Sequence, residues 1–397
     1  MQLLSMNFKK CYLLILVFAV LILSNCSSNS NNLNLARNVI PRDTKLYSYG
    51  HWSHVHLNAA FNNNSAISQY FFLNSTIVLD KSNNSEVLLG IHPNYPDNNV
   101  SRSPDSYSLL TWVLNINSKK WNLVNPLDSP QINKYPKCEV DNCSLSNGNV
   151  IAFDSGNSMI IYPDCGSNNT LSTWGWNGVS WDQLGSQSSD IFNNCNIYGN
   201  GYMNMNLFSY KNTVAMIASN DGRKIKTRFG YELVYNSTIW VYSNTSNSWS
   251  ILTTLQNTPF PRSVSYLPSQ SEVVVVCPHF FRNGFDTLIF ENHEWKSYDY
   301  VGIYPPKVTQ TQNALSYTGS KCGKLIYVAN DAEFKPAGSN LSNLKTLTYV
   351  WNYGNWKLIN STNQQFQGAM SELPTQNGIL IQSVNYNGYY NAWKFTC

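Results

Sequence analysis

Apolar and polar positions along this chain alternate in short runs broken by polar turns, and the same plan recurs down the sequence. The stretches TWVLNINSKKWNLV (111–124), TWGWNGVSWDQL (173–184), IWVYSNTSNSWSIL (239–252), TLIFENHEWKSY (287–298) and YVWNYGNWKLI (349–359) share one layout. Each has an aromatic or large apolar residue, a turn rich in Asn, Gly or Ser, then Trp and mostly apolar positions. That layout predicts a hairpin. A second kind of apolar hairpin recurs at 76–91, 150–163, 205–219, 263–278, 314–329 and 369–384. Its second strands begin near 86, 159, 213, 273, 324 and 379, a mean spacing of about 59 residues. Four short strands at that period predict an all-β fold, a β-propeller of six blades. No single blade buries both faces of its sheet, so neighbours must do it.

The sixth unit is one strand short. After GILIQSV the chain has YYNAWKFT (389–396), whose Trp393 matches the first Trp of the earlier hairpins, and no closing Trp strand follows. Trp52-Ser53-His54-Val55 lines up with WNLV, WDQL, WSIL and WKLI. Residues 49–57 are therefore expected to form the outermost strand of the last blade, closing the ring and pairing the exposed sheet edge. The motif GHWSHVH (50–56) gathers three of the six histidines. His54 and His56 share one face of the strand and His51 the other. A strand can present metal ligands in this way, but the outermost strand lies at the rim, so the histidines are read as structure and no metal or other cofactor is expected.

The unit resembles the Kelch and galactose-oxidase central-domain propellers over about 350 residues. The resemblance is carried by the four-strand unit and the two-Trp hairpin, TWGWNGVSWDQL above all. Kelch units carry a Gly-Gly pair after the second strand, and this chain has none. The resemblance implies a circular scaffold that commonly serves as an interaction module. Galactose oxidase and the six-bladed sialate mutarotases, related by fold, suggest a periplasmic carbohydrate-active enzyme as the alternative.

The first residues change the expected location. Lys9 and Lys10 precede an apolar run, Cys11 to Leu23, then Ser24-Asn25-Cys26. Thirteen apolar residues fall short of the ~20 that span a bilayer, so 1–25 read as an export signal. Leu23-Ser24-Asn25-Cys26 resembles the lipobox of bacterial lipoproteins, which implies acylation of Cys26 and an envelope location, on the periplasmic or surface side. Without acylation the protein would be secreted. Residues 26–44 then read as a flexible tether and 45–397 as the propeller.

Composition narrows the partners. Without Lys9 and Lys10 the 26 basic and 22 acidic residues leave a charge of +2, which gives no reason to expect nucleic acid. The N-x-S/T sites are no more frequent than this Asn, Ser and Thr content produces by chance. Beyond Cys11 and Cys26 there are seven cysteines, so in an oxidising compartment some pair and at least one is left over.

Connections differ in length around a four-stranded blade. First-to-second and third-to-fourth connections share one face and are tight turns, such as DSGN (154–157), PSQS (268–271) and NSKK (117–120). The others are long and polar: 92–107, 125–147, 185–204, 220–236 and 330–346. Long loops on a rigid scaffold are where ligands bind. The candidate ligand face therefore comprises Tyr95, Arg102, Asp164, Asp221, Arg223, Arg282, Asp331 and Glu333, suited to a protein loop or a carbohydrate. Cys138, Cys143, Cys165 and Cys195 fall on this face and are the expected disulfide formers. Cys277 and Cys322 map to opposite faces, against a bond between them. No catalytic constellation stands out, and the ring is expected to be a monomer. RKIKTR (223–228) reads as an exposed β-ribbon.

Overall fold

The computed structural model describes residues 38–39, 50–55, 75–94, 106–115, 117–124, 130, 150–165, 170–188, 204–219, 223–227, 230–258, 261, 263–278, 285–299, 315–331, 345–352, 354–362, 370–373, 377–384 and 390–397. Among the described residues there are twenty-six strands, opening with β1 (Asn38–Val39) and β2 (His51–Val55). Blade 1 is β3 (Ser75–Asp80), β4 (Ser85–Asn94), β5 (Ser106–Asn115) and β6 (Lys120–Val124). Blade 2 is β7 (Ala152–Asp154), β8 (Met159–Cys165), β9 (Thr170–Trp176) and β10 (Trp181–Ser188). Blade 3 is β11 (Asn204–Tyr210), β12 (Thr213–Ser219), β14 (Gly230–Ser243) and β15 (Ser248–Thr258), with β13 (Arg223–Thr227) folded onto β14. Blade 4 is β16 (Ser263–Leu267), β17 (Glu272–Pro278), β18 (Phe285–Glu291) and β19 (Glu294–Asp299). Blade 5 is β20 (Leu315–Tyr317), β21 (Leu325–Asp331), β22 (Lys345–Trp351) and β23 (Trp356–Thr362). Blade 6 is β24 (Met370–Glu372), β25 (Gly378–Val384) and β26 (Tyr390–Thr396), completed by β2.

The ring is thus a six-bladed propeller, closed as the Trp alignment predicts. Strand β2 pairs antiparallel with β26, Trp52 opposite Phe395 and His54 opposite Trp393. Two residues of the segment read as a tether, Asn38 and Val39, pair in parallel with Tyr298 and Asp299 and give blade 4 a fifth strand. Arg223–Thr227 form the expected ribbon, antiparallel to Gly230–Val234.

Burial falls from the axis outward, and residue choice follows it. Second strands are sandwiched by neighbours on both faces and read as unbroken apolar runs; Val273 to Val276 are all buried. Fourth strands alternate, as in Lys120–Val124, where only Trp121 is buried. The core is six separate clusters, one at each joint between blades. One joins Val87 and Leu89 of blade 1 to Ile160 and Trp181 of blade 2, and another joins Leu373 and Leu380 of blade 6 to Ile77 and Leu88 of blade 1.

A repeated hydrogen bond sets the blades in register. The indole N–H of a fourth-strand Trp crosses the joint to a Thr hydroxyl of the preceding blade. Trp181 donates to Thr111 at 2.9 Å, Trp249 to Thr173 at 2.9 Å, Trp356 to Thr287 at 2.8 Å and Trp52 to Thr348 at 2.9 Å. The equivalent position in blade 3 is Ile239, which has no hydroxyl, and there Trp295 reaches Thr253 on the neighbouring strand at 3.2 Å. In blade 6 the position is Ala392, which shares a core with Trp121.

Tight turns on one face are tied to each other. Gly156 N donates to Asn212 O at 2.8 Å, the Ser155 hydroxyl reaches Lys211 O, and the Ser82 hydroxyl reaches Ser158 O. A Cβ on Gly156 would lie 2.5 Å from Asn212 O, so only glycine allows that approach. Several turns close through a left-handed residue, among them Asn84 (φ 48°), Ser158 (φ 55°) and Ser271 (φ 55°). Between blades 5 and 6 the tie is covalent: Cys322, in the first turn of blade 5, is bonded to Cys397, which follows β26. Among the described residues Cys277 is a buried, free thiol.

Candidate functional site

First strands of all six blades line a central channel, and its described part is a cavity of 170 Å³ at the tight-turn end. Its walls are apolar, with Ile77, Phe153, Leu207 and Met370 among them. Its mouth is not uniform. Where first strands run into their turns the sequence reads Leu79-Asp80, Phe153-Asp154, Ser209-Tyr210, Ser265-Tyr266, Ser316-Tyr317 and Ser371-Glu372. Three consecutive blades therefore end their first strands in tyrosine and the remaining three in acids; of these six side chains, Tyr266, Tyr317 and Glu372 border the cavity.

The acids do different work. Asp80 caps its own turn, accepting from Ser82 N at 3.0 Å and from the Asn83 amide at 2.8 Å. Asp154 does the same for Gly156 N at 2.9 Å and takes a further bond from Asn244 of blade 3. Both are turn chemistry. Glu372 instead holds Lys81 across the joint between blades 6 and 1, at 2.8 Å, and borders the cavity. Its Oε1 is buried and receives no hydrogen bond among the described residues. Burial raises the Glu372 pKa, with Lys81 opposing.

Behind Glu372 lies Glu86, wholly buried at the start of β4. The Ser371 hydroxyl lies 2.8 Å from Glu86 Oε2 and 3.3 Å from the Glu372 carbonyl oxygen. Burial pushes the Glu86 pKa up to about 8; the Ser371 hydrogen bond opposes this and the nearby Glu372 charge adds to it. One hydroxyl proton cannot serve two acceptors fully. A neutral Glu86 resolves the conflict: its own O–H donates to Ser371 Oγ, and Ser371 donates to the carbonyl. At pH 7 the joint thus holds an uncharged carboxyl.

Tyr266 and Tyr317 border the same cavity, and Tyr210 packs edge-on against Tyr266 with ring centroids 5.0 Å apart. Lys211 lies over the Tyr210 ring at 5.2 Å. Burial raises the Tyr317 pKa, and the neighbouring Glu372 adds to it. Sequence reasoning missed this end of the channel because tight turns carry few residues. The available signal was the Ser-Tyr, Ser-Tyr, Ser-Tyr, Ser-Glu series at the ends of four successive first strands.

The face predicted from the long connections is described in part. Asp164 stands one residue before the end of the second strand of blade 2, Asp331 ends that of blade 5, and Arg223 begins the ribbon after the second strand of blade 3, so all three share that face. Asp164 is half-buried, and burial raises its pKa to about 6. The exposed Arg223 guanidinium donates to Asn257 Oδ1. Tyr95, Arg102, Asp221, Arg282 and Glu333 lie outside the described residues, as do Cys26, Cys138, Cys143 and Cys195; Cys165 ends β8. At the rim, His54 is exposed and sets its ring edge-on to Trp393 at 5.1 Å. Among the described residues no three His, Cys, Asp or Glu side chains are grouped as a metal site would need.

No protein-family model matches the chain, and no curated protein matches it. Solved structures similar to it share the fold at low identity. A subtype N11 neuraminidase-like protein of A/flat-faced bat/Peru (H18N11) is 9% identical with a TM-score of 0.44, covering 89% of this chain and 95% of its own. The fucose-specific lectin from Aleuria aurantia is 9% identical with a TM-score of 0.41, covering 82% and 93%. The β-propeller domain of the Trilobed protease from Pyrococcus furiosus is 8% identical with a TM-score of 0.37, covering 83% and 94%.

Proposed function

We propose that the protein is a Kelch-like binding propeller, anchored at a bacterial envelope through an acylated Cys26, that seats a protein or glycan ligand on its long-connection face. The observation that carries this reading is the difference between the two ends of the ring. At one end, short turns are stapled to each other by hydrogen bonds and a disulfide. At the other, strands run on beyond the blades: β4 and β5 each extend over 10 residues, and β14 over 14 with the β13 ribbon folded against it. A stiff base that projects chain to one side suits recognition by loops. Asp164 supplies a partly desolvated carboxyl on that side, ready to accept from a ligand hydroxyl or amide.

The test is a glycan-array and peptide-library screen with the purified protein and with Asp164→Ala. The expected result is a ligand whose affinity falls about tenfold or more in the variant. A screen that finds no ligand, or one bound equally by Asp164→Ala, overturns the reading. The second reading, a carbohydrate-active enzyme, is favoured by the same carboxyl, since a value near 6 suits a general acid. Anomer exchange catalysed on a sugar panel and lost in Asp164→Ala would select it.

A further inference from the structure

We infer that the ribbon of β13 and β14 on the long-connection face is a strand-addition site for an acidic peptide. The inference rests on the reading of that face as the ligand side. Its starting point is how β14 is shared. Tyr235 to Ser243 pair with β15, and Ser237 to Val241 pair also with β12. Gly230 to Val234 pair with β13 and with no other strand among the described residues. The ribbon therefore runs past the blade by the 5 residues of β13, about 17 Å at ~3.3 Å per residue. Strand β13 has no second partner among the described residues, so its outer edge is open. In an antiparallel pair every second residue turns its N–H and C=O away from the partner, which leaves part of a ladder unfilled along that edge. Arg223, Lys224 and Lys226 are exposed. Arg223 also donates to Asn257 Oδ1 of β15, which pins the base of the ribbon to the blade.

Charge decides what fills that edge. Residues 223–234 read RKIKTRFGYELV, four basic residues and one acid, a charge of +3. Without Lys9 and Lys10 the whole chain carries +2, so everything outside the ribbon sums to −1 and the positive charge is concentrated here. A second copy of β13 is repelled, because self-pairing sets basic residues beside basic residues. Side chains alternate along a strand, so Lys224 and Lys226 lie on one face of the ribbon and Arg223 on the other. A flat anionic membrane meets only one of those faces. An acidic polysaccharide matches the charge but has no row of N–H and C=O groups to fill the ladder. An extended peptide with an acid at every second position supplies both, main-chain hydrogen bonds to the edge and carboxylates opposite Lys224 and Lys226.

The full chain is added to a fluorescent eight-residue peptide of alternating Glu and Thr, and binding is read by anisotropy at low salt. The expected result is a Kd below about 1 mM. Two further peptides carry N-methyl groups on one or the other alternate set of backbone nitrogens, which keeps every charge. The one methylated toward the edge should bind at least about tenfold more weakly, and the one methylated away from it should stay within about threefold. Lys224→Glu/Lys226→Glu should lose the Glu-Thr peptide at least about tenfold and bind the matching Lys-Thr peptide instead. Both positions are exposed, so this variant should keep the parent's thermal midpoint. The proposal is overturned if the Glu-Thr peptide does not bind, if both methylated peptides bind as it does, or if charge reversal leaves both affinities unchanged. Binding of dextran sulfate or of phosphatidylglycerol vesicles without the peptide would also overturn it, in favour of a polyanion that fills no ladder. None of these outcomes involves Asp164, whose alanine variant tests the face itself, so the two readings fail separately.

Discussion

The joint between blades 4 and 5 and the joint between blades 6 and 1 each bury a glutamate at the start of a second strand, and they neutralise it differently. At the first, Glu272 accepts the Trp351 indole N–H at 3.2 Å; burial raises its pKa and the Glu291 charge adds to the rise, while the Trp351 hydrogen bond and Lys296 oppose it. At the second, Glu86 has Ser371 for a partner, and the nearest charge is the like charge of Glu372. Trp356 is latched to Thr287 at the 4–5 joint, whereas the position matching that threonine in blade 6 is Ala392. A joint between consecutive blades is closed by indole donors. The joint that shuts the ring, between residues 285 positions apart, is closed by a protonated acid. The difference predicts that pH acts more strongly on the ring-closing joint than on the other.

The largest effect should be at Glu86. Its native form keeps the proton up to about pH 8, whereas the unfolded chain releases it near 4.5, so folding takes up a proton between these values. The stabilisation is present in full below pH 4.5 and is lost as pH rises toward 8, on the order of 5 kcal/mol across the interval. Urea midpoints from pH 4 to 9 should therefore fall steadily. Glu86→Gln keeps a neutral hydrogen-bonding group and should remove most of that slope. Ser371 and Glu372, which act on Glu86, remain in the variant, so an unchanged slope would mean that the acid titrates elsewhere.

Blade 6 takes its fourth strand from the distant segment His51–Val55, and the Cys322–Cys397 bond ties it to blade 5 across a separation of 75 residues. Replacing both cysteines by serine should cost about 2–4 kcal/mol. The parent under reductant should lose at least this much, and a further loss when the double variant is reduced would report pairing among Cys138, Cys143, Cys165 and Cys195. Buried Cys277, with a pKa held well above the usual thiol range by burial, should contribute nothing to the reductant response.

The comparison also explains what could be read from the chain alone. Strand starts were legible because a blade strand is selected by local pattern. Second strands expected near 86, 159, 213, 273, 324 and 379 begin at Ser85, Met159, Thr213, Glu272, Leu325 and Gly378. The ring-closing strand was legible for the same reason, since Trp52 repeats the fourth-strand Trp. Contacts across joints were not. Thr111, Thr173, Thr287 and Thr348 look like ordinary strand residues until the next blade's indole is placed over them. Glu86 reads as a turn-flanking charge, because nothing local announces Ser371 as its neighbour. The Cys322–Cys397 pairing depends on which turns meet on the tight face, and that face drew no attention while the long loops were the expected site.

The smallest effect sharpens the comparison most. Thr287→Val preserves shape and removes the acceptor that Trp356 uses, and Trp356 is buried at 1% exposure. The expected cost is about 1–3 kcal/mol, from the desolvated indole N–H losing this partner. No titrating group takes part in that bond, so the cost should be the same at pH 5 and pH 8. Ser371→Ala at the closing joint removes a bond of similar length, but its partner is Glu86, whose charge state changes over that range. Its cost should grow as pH rises, because an ionised Glu86 without the hydroxyl is a buried charge with no donor. If Thr287→Val instead shows the steeper pH dependence, the latched joint carries a titrating partner and the contrast between the two joints fails.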